Sequence, residues 1–80
     1  MDRSEIVDRV KAFLTEEFEV NPAIIDDDAP MAKTLDLDSL DYVDMVVIIE
    51  ENFGFKMTAD DFRQISSFSS FYDFIQARVK

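Results

Sequence analysis

Eighty residues leave room for one domain, expected to span 1–80, and a chain this short must pack efficiently to fold alone. Its 48% hydrophobic content, with eight Phe and two Tyr, supplies a core, and one Gly with two Pro are few helix breakers. With no Cys and no His, disulfides, thiolate chemistry and serine–histidine or cysteine–histidine catalysis are excluded, while eighteen acids against eight bases give a net charge of −10.

The first helix opens at Asp2 or Ser4, and Asp2 with Glu5 has capping-box spacing. Ile6, Val7, Val10, Phe13, Leu14 and Phe18 recur at three- and four-residue steps, an amphipathic stripe that runs to about Glu17. Residues 19–37 show no sustained helical period. Asn21-Pro22 can start one short turn. Ile24, Ile25, Met31, Leu35 and Leu37 anchor the stretch, which reads as a long packed loop. A second long helix starts after Asp38, with Asp41 three residues on, and continues through Asn52-Phe53 to the lone Gly54. Thr58 caps a short third helix, Ala59 to Gln64, with Asp60 and Asp61 in its first turn. Ser67 caps a fourth. Phe68, Phe71, Tyr72, Phe74, Ile75 and Val79 form its stripe, and Arg78 and Lys80 suit its C-terminal dipole. The expected fold is all-α: a small four-helix bundle with three longer helices and a short third one.

Charge is uneven along these elements. Residues 1–25 carry −3, residues 26–51 carry −8 and residues 52–80 carry +1. An acidic middle repels nucleic acid and anionic lipid and attracts a basic protein surface, although a plain solvated face has the same composition. The apolar run Val46–Ile49 is far too short to span a bilayer. The start, Met1 to Glu5, lacks the basic and apolar stretches of a signal peptide. The expectation is a soluble, cytoplasmic monomer that binds neither nucleic acid nor membrane, and whose self-repulsion is eased by salt or magnesium.

On a helical wheel of residues 40–53, Tyr42, Val43, Met45, Val46, Ile49 and Phe53 cover one broad arc expected to be core. Asp41, Asp44 and Glu51 lie opposite, with Leu40, Val47 and Ile48 interleaved among them. Apolar residues set among acids suit a docking face: contact area for affinity, charge for steering a basic partner. Ser39 falls at the first position of this helix, where free amides and the helix dipole favour an anion. It reads either as a helix-start residue or as a site compatible with a phosphate ester.

Asp38-Ser39-Leu40-Asp41, opening an acidic helix midway along eighty residues, resembles the acyl carrier protein family. The loop anchored at Leu35, the Glu50-Glu51-Asn52-Phe53 helix end, the short third helix and Tyr72-Asp73-Phe74-Ile75 follow in that family's order, so the likeness covers nearly the whole chain. The resemblance implies a four-helix bundle and a covalent 4′-phosphopantetheine from coenzyme A on Ser39, attached by a separate phosphopantetheinyl transferase. The transferase must supply base and Mg²⁺, since no His or Lys adjoins Ser39. The carrier itself is then not an enzyme, and no residue is expected to be catalytic or to ligate a metal. Acyl groups would ride as thioesters to fatty-acid or polyketide-type synthesis enzymes. The same resemblance assigns docking of basic patches on those enzymes to Asp38, Leu40, Asp41, Asp44, Val47, Ile48, Glu50 and Glu51. Met31, Met45, Ile49, Met57, Phe62, Ile65, Phe71 and Phe74 either line an acyl cavity or simply fill the core.

The sequence departs from the family in three places. Leu35-Asp36 stands where Leu-Gly is usual, and the added carboxylate is expected to slow or redirect modification. Lys56 stands where an acid is common, and Phe62 and Phe71 occupy positions that are often small, which predicts short or unusually shaped cargo. The competing reading is an acidic helical adaptor that docks a basic partner without any prosthetic group. A calcium loop through Asp36, Asp38 and Asp41 lacks the glycine and glutamate that such a loop requires.

Overall fold

Asp2 accepts a hydrogen bond from the Glu5 amide at 2.9 Å and so starts α1, Arg3–Phe18, in a computed structural model that describes residues 1–79. The helix ends one residue beyond the expected Glu17. Glu19 turns left-handed at φ 57°, and the Val20 amide reaches back to the Leu14 carbonyl at 3.1 Å. A single 3-10 turn follows at Pro22–Ile24, capped by Asn21. It turns Ile25 into the core and leaves Ile24 exposed, so only one of these two expected anchors is buried.

Residues 19–37 are not loop throughout. Met31–Leu35 form α2, a helix of five residues with Met31 and Leu35 buried on one face. Five residues hold one i,i+4 pair, too few for a helical period to register in sequence. Tertiary hydrogen bonds hold this stretch: Met31 N–H to Ser66 O at 3.1 Å, Phe68 N–H to Ala29 O at 3.3 Å, and Ser69 N–H to Asp27 O at 2.9 Å. The long segment is therefore laced to the start of the last helix. At its end Asp36 is left-handed, φ 49°, in the position where the resembled family carries glycine. Aspartate tolerates that region better than most residues, which lets the turn keep its shape with a carboxylate in place.

The next two helices match the expected bounds, and the last ends at Arg78, so Val79, expected in its stripe, is its extended C-cap. α3 is Ser39–Phe53, with Asp38 as N-cap in a full capping box with Asp41 and with Gly54 left-handed at its end, φ 77°. α4 is Ala59–Gln64, opened by a second box between Thr58 and Asp61. α5 is Phe68–Arg78, capped by Ser67. Lys80, expected beside Arg78, lies outside the described residues.

α1 packs on α5 and on α3, and α4 packs on α3. The shared core takes Ile6, Val10 and Leu14 from α1, Met45 and Ile49 from α3, and Phe68, Phe71, Tyr72 and Ile75 from α5, all fully buried. The expected bundle of three longer helices and a short one is present, with α2 as a one-turn addition. Arg3 ties α1 to α5: it pairs with Asp73 and lies over the Tyr72 ring, 5.5 Å from the centroid. The Tyr72 hydroxyl is buried without a hydrogen-bond partner among the described residues. Burial pushes its pKa up to about 12, with the Asp27 charge adding to the rise and Arg3 opposing it. No described helix is long and apolar enough to cross a membrane.

Candidate functional site

Ser39 is the first residue of α3 and is exposed, as its position after the Asp38 cap requires. The capping box occupies the third amide of the helix: Asp41 N–H donates to the Asp38 carboxylate at 3.0 Å. The Ser39 and Leu40 amides take no intrahelical partner at this helix start, so the hydroxyl sits at a locally positive end within an acidic neighbourhood.

Beside Ser39 lies an open cleft of about 850 Å³ between α3, α4 and the α2 end. Tyr42, Val43, Val46 and Val47 form its α3 wall, and Met57, Thr58, Phe62 and Arg63 form the opposite one. Leu37, Asp38 and Ala32 complete the lining together with Ser39, and Lys56 adds a cation. Tyr42 and Phe62 meet across the cleft with ring centroids 5.2 Å apart. Partial burial raises the Tyr42 pKa, so its phenol stays neutral and serves as apolar wall with a polar tip.

A second, smaller notch of about 370 Å³ lies on the other side of α3. Phe18, Val47 and Ile48 give it an apolar floor, and Glu17, Asp44 and Glu51 give it an acidic rim. Val47 therefore forms the ridge between the two hollows.

The wheel needs correction at four residues: Tyr42 and Val46, expected in the core, are half-buried and line the cleft, and Val43 and Ile48 depart further. Val43, expected in the core, is 61% exposed, in line with Leu40 at 75% and Val47 at 50%. Ile48, expected on the open face, is half-buried and packs against the core. The core stripe of α3 is narrower than the apolar arc, Met45, Ile49 and Phe53 only, because α4 is short and covers little of the flank. Of the remaining docking candidates, Asp38, Asp44, Glu50 and Glu51 are exposed, and Asp41 is half-buried in its capping box.

Among the cavity candidates, Met57 and Phe62 line the cleft. Met31, Met45, Ile49, Ile65 and Phe71 are packed into the core. Phe74 lies apart, against Phe55 at 6.3 Å and beneath the Arg78 guanidinium at 3.7 Å. Phe71 stands behind Phe62, centroids 6.2 Å apart, and so backs the cleft wall. Sequence reasoning did not bring Tyr42, Val43, Val46, Thr58 or Arg63 to one hollow. Their only shared signal is an apolar arc on α3 wider than its neighbours can cover.

A family model described as "Phosphopantetheine attachment site" matches residues 8–75. The chain is 32% identical over 79 residues to an acyl carrier protein of Thermosynechococcus vestitus, covering 99% of this chain and 98% of that protein. It is 35% identical over 79 residues to an acyl carrier protein of Guillardia theta, with the same coverage of 99% and 98%. Against acyl carrier protein 2, mitochondrial, of Arabidopsis thaliana, identity is 36% over 75 residues, covering 94% of this chain and 60% of that protein.

Proposed function

Because the chain belongs to the acyl carrier protein family, we propose that Ser39 is the attachment residue of its prosthetic group and that the open face of α3 presents the cargo to partner enzymes. The chain is an acyl carrier that bears a covalent 4′-phosphopantetheine. When bound, that group supplies a terminal thiol on which an acyl unit is held as a thioester, chemistry that a chain without cysteine lacks. The adaptor reading, with no prosthetic group, finds no support in a phosphopantetheine-attachment match that spans most of the chain.

The residues present fit the group. The Ser39 hydroxyl is exposed, it stands at a helix start that favours a phosphodiester, and a large hollow opens directly beside it. In our reading Ser39 Oγ forms the bond to phosphorus while the bond from that phosphorus to the nucleotide part of coenzyme A breaks. The hydroxyl proton leaves to a base on a separate phosphopantetheinyl transferase, since no described side chain hydrogen-bonds the Ser39 hydroxyl. Asp38 and Asp41 hold the helix start rigid through their reciprocal bonds and so fix where Ser39 points. The carrier acts as a single domain and takes no part in the bond-making of fatty-acid or polyketide-type synthesis.

Docking falls to the exposed part of α3. Leu40, Val43 and Val47 offer apolar contact, and Asp44, Glu50 and Glu51 offer charge for a basic patch on each partner. The Val43 contribution follows from its exposure.

The observation that carries this reading is Ser39 exposed at the α3 start beside the cleft. Intact mass after incubation with coenzyme A, Mg²⁺ and a broad-specificity transferase tests it, with Ser39→Ala alongside. The expected result is a gain of one phosphopantetheine in the wild type and none in Ser39→Ala. A gain that persists in the variant, or none in folded wild type, overturns the assignment.

A further inference from the structure

We propose that the cleft beside Ser39 seats acyl groups that end in a carboxylate, and that Lys56 is the residue that selects the charged end; this rests on the reading of Ser39 as the attachment residue. Three observations carry it. The first is where space is found. The side chains between α3 and α5, Met45, Ile49, Phe71 and Ile75, are fully buried and mutually packed, so an acyl chain there has to displace well-packed core. The cleft needs no displacement. It already spans about 850 Å³ and touches Ser39 itself, within the size range of ligand sites.

The second is direction. Tyr42, one turn into α3 from Ser39, meets Phe62, so α4 delivers its later residues to the Ser39 end of the cleft. Lys56 belongs to the segment that comes from the other end of α3, after Phe53 and Gly54. A chain that enters at Ser39 and runs along Val46 and Val47 has apolar walls first and the Lys56 ammonium farther on.

The third is charge. In a chain of net charge −10, this hollow carries two cations, Lys56 and Arg63, and a single carboxylate, Asp38, already engaged in the capping box. Arg63 is paired with Asp60 at 3.2 Å, whereas Lys56 makes no ion pair among the described residues. An acyl group ending in methyl gains from the walls alone. One ending in carboxylate gains from the walls and from Lys56. The gain is modest, since the ammonium is exposed, and it is sensitive to salt.

The test loads the carrier with two coenzyme A thioesters of equal chain length, octanoyl and its carboxylate-ended counterpart octanedioyl, and confirms each by intact mass. Melting temperature and backbone amide shifts are then read in low salt for wild type, Lys56→Gln and Lys56→Arg. The expected result is a higher melting temperature for the octanedioyl form, with amide shifts along Val46, Val47 and Met57. Lys56→Gln should abolish the difference, Lys56→Arg should keep it, and high salt should shrink it. Successful loading with an equal or higher melting temperature for the octanoyl form, or a carboxylate preference that survives Lys56→Gln, overturns the proposal alone. Failure of both thioesters to load on folded protein overturns the Ser39 assignment first, and this proposal with it.

Discussion

The cleft on the Ser39 side of α3 and the notch on its α1 side share Val47 and an apolar floor, yet they carry opposite charge. The cleft has Lys56 and Arg63 against Asp38, while the notch has Glu17, Asp44 and Glu51 and no cation. Asp44 and Glu51 of α3 lie seven residues apart, about two helical turns, and so fall on one side by local geometry. The cations of the cleft come from the segment after α3 and from α4, and reach the other side only through the fold. The −8 stretch at residues 26–51 is therefore not a uniform acidic surface: one helix presents an acidic flank outward and borrows a basic one from its neighbour. That division suits a carrier. It agrees with the proposed roles, in which a basic partner is steered to the acidic side and the other side is left for cargo.

The largest expected effect breaks both hollows at once. Ile49 lies on the fully buried face of α3, the helix that walls both hollows, and Ile49→Ala should cost about 2–5 kcal/mol in urea unfolding, with amide shifts on both sides of the helix. A loss well under 1 kcal/mol would mean that the two hollows do not rest on a common packed floor.

A reference away from both hollows comes next. Tyr72, between α1 and α5, has its hydroxyl pKa raised to about 12, above its ordinary value of about 10. The folded state thus holds the phenol proton more tightly than the unfolded chain. The stability linked to it is whole below pH of about 10 and is lost as pH climbs from about 10 through about 12. Melting temperature should fall across that window, and Tyr72→Phe should flatten the fall. Since that hydroxyl has no partner, Tyr72→Phe should not destabilise at neutral pH. An alkaline fall unchanged in Tyr72→Phe would place the titration elsewhere.

The smallest effects sharpen the charge contrast itself. At low ionic strength Asp44→Asn should raise the melting temperature and Lys56→Gln should lower it, each by roughly 1–4 °C, because one relieves repulsion in an acidic chain and the other adds to it. Both shifts should shrink in ~1 M salt, where the screening length falls to about 3 Å. Shifts of the same sign would show that the two flanks of α3 do not differ electrostatically as their residues suggest.

Much of this molecule is legible from sequence because its signals are local. The caps Asp2, Asp38, Thr58 and Ser67 and the terminal Gly54 act within four residues of themselves, and they fix four helices and the position of Ser39. α2 was not legible, because one turn carries no period and its first amide, that of Met31, is held by the Ser66 carbonyl, far along the chain. The exposure of Val43 and the partial burial of Ile48 were misread for a related reason. A wheel shows which residues share a flank, but the length of α4 and the placement of Phe18 decide which flank is covered. Lys56 was legible as a departure from the family and not as a wall of the Ser39 cleft, since it comes to line the same hollow as Ser39 only when α4 packs on α3.

The sequence by itself determined the starts of the four capped helices, the acidic character of α3 and the serine at its start, because caps and 3.6-residue periodicity are set by neighbours in the chain. The tertiary structure alone decided where empty space lies, which valines face it and which cations border it. Packing between distant segments settles those, and no short stretch of sequence encodes the distance between two elements.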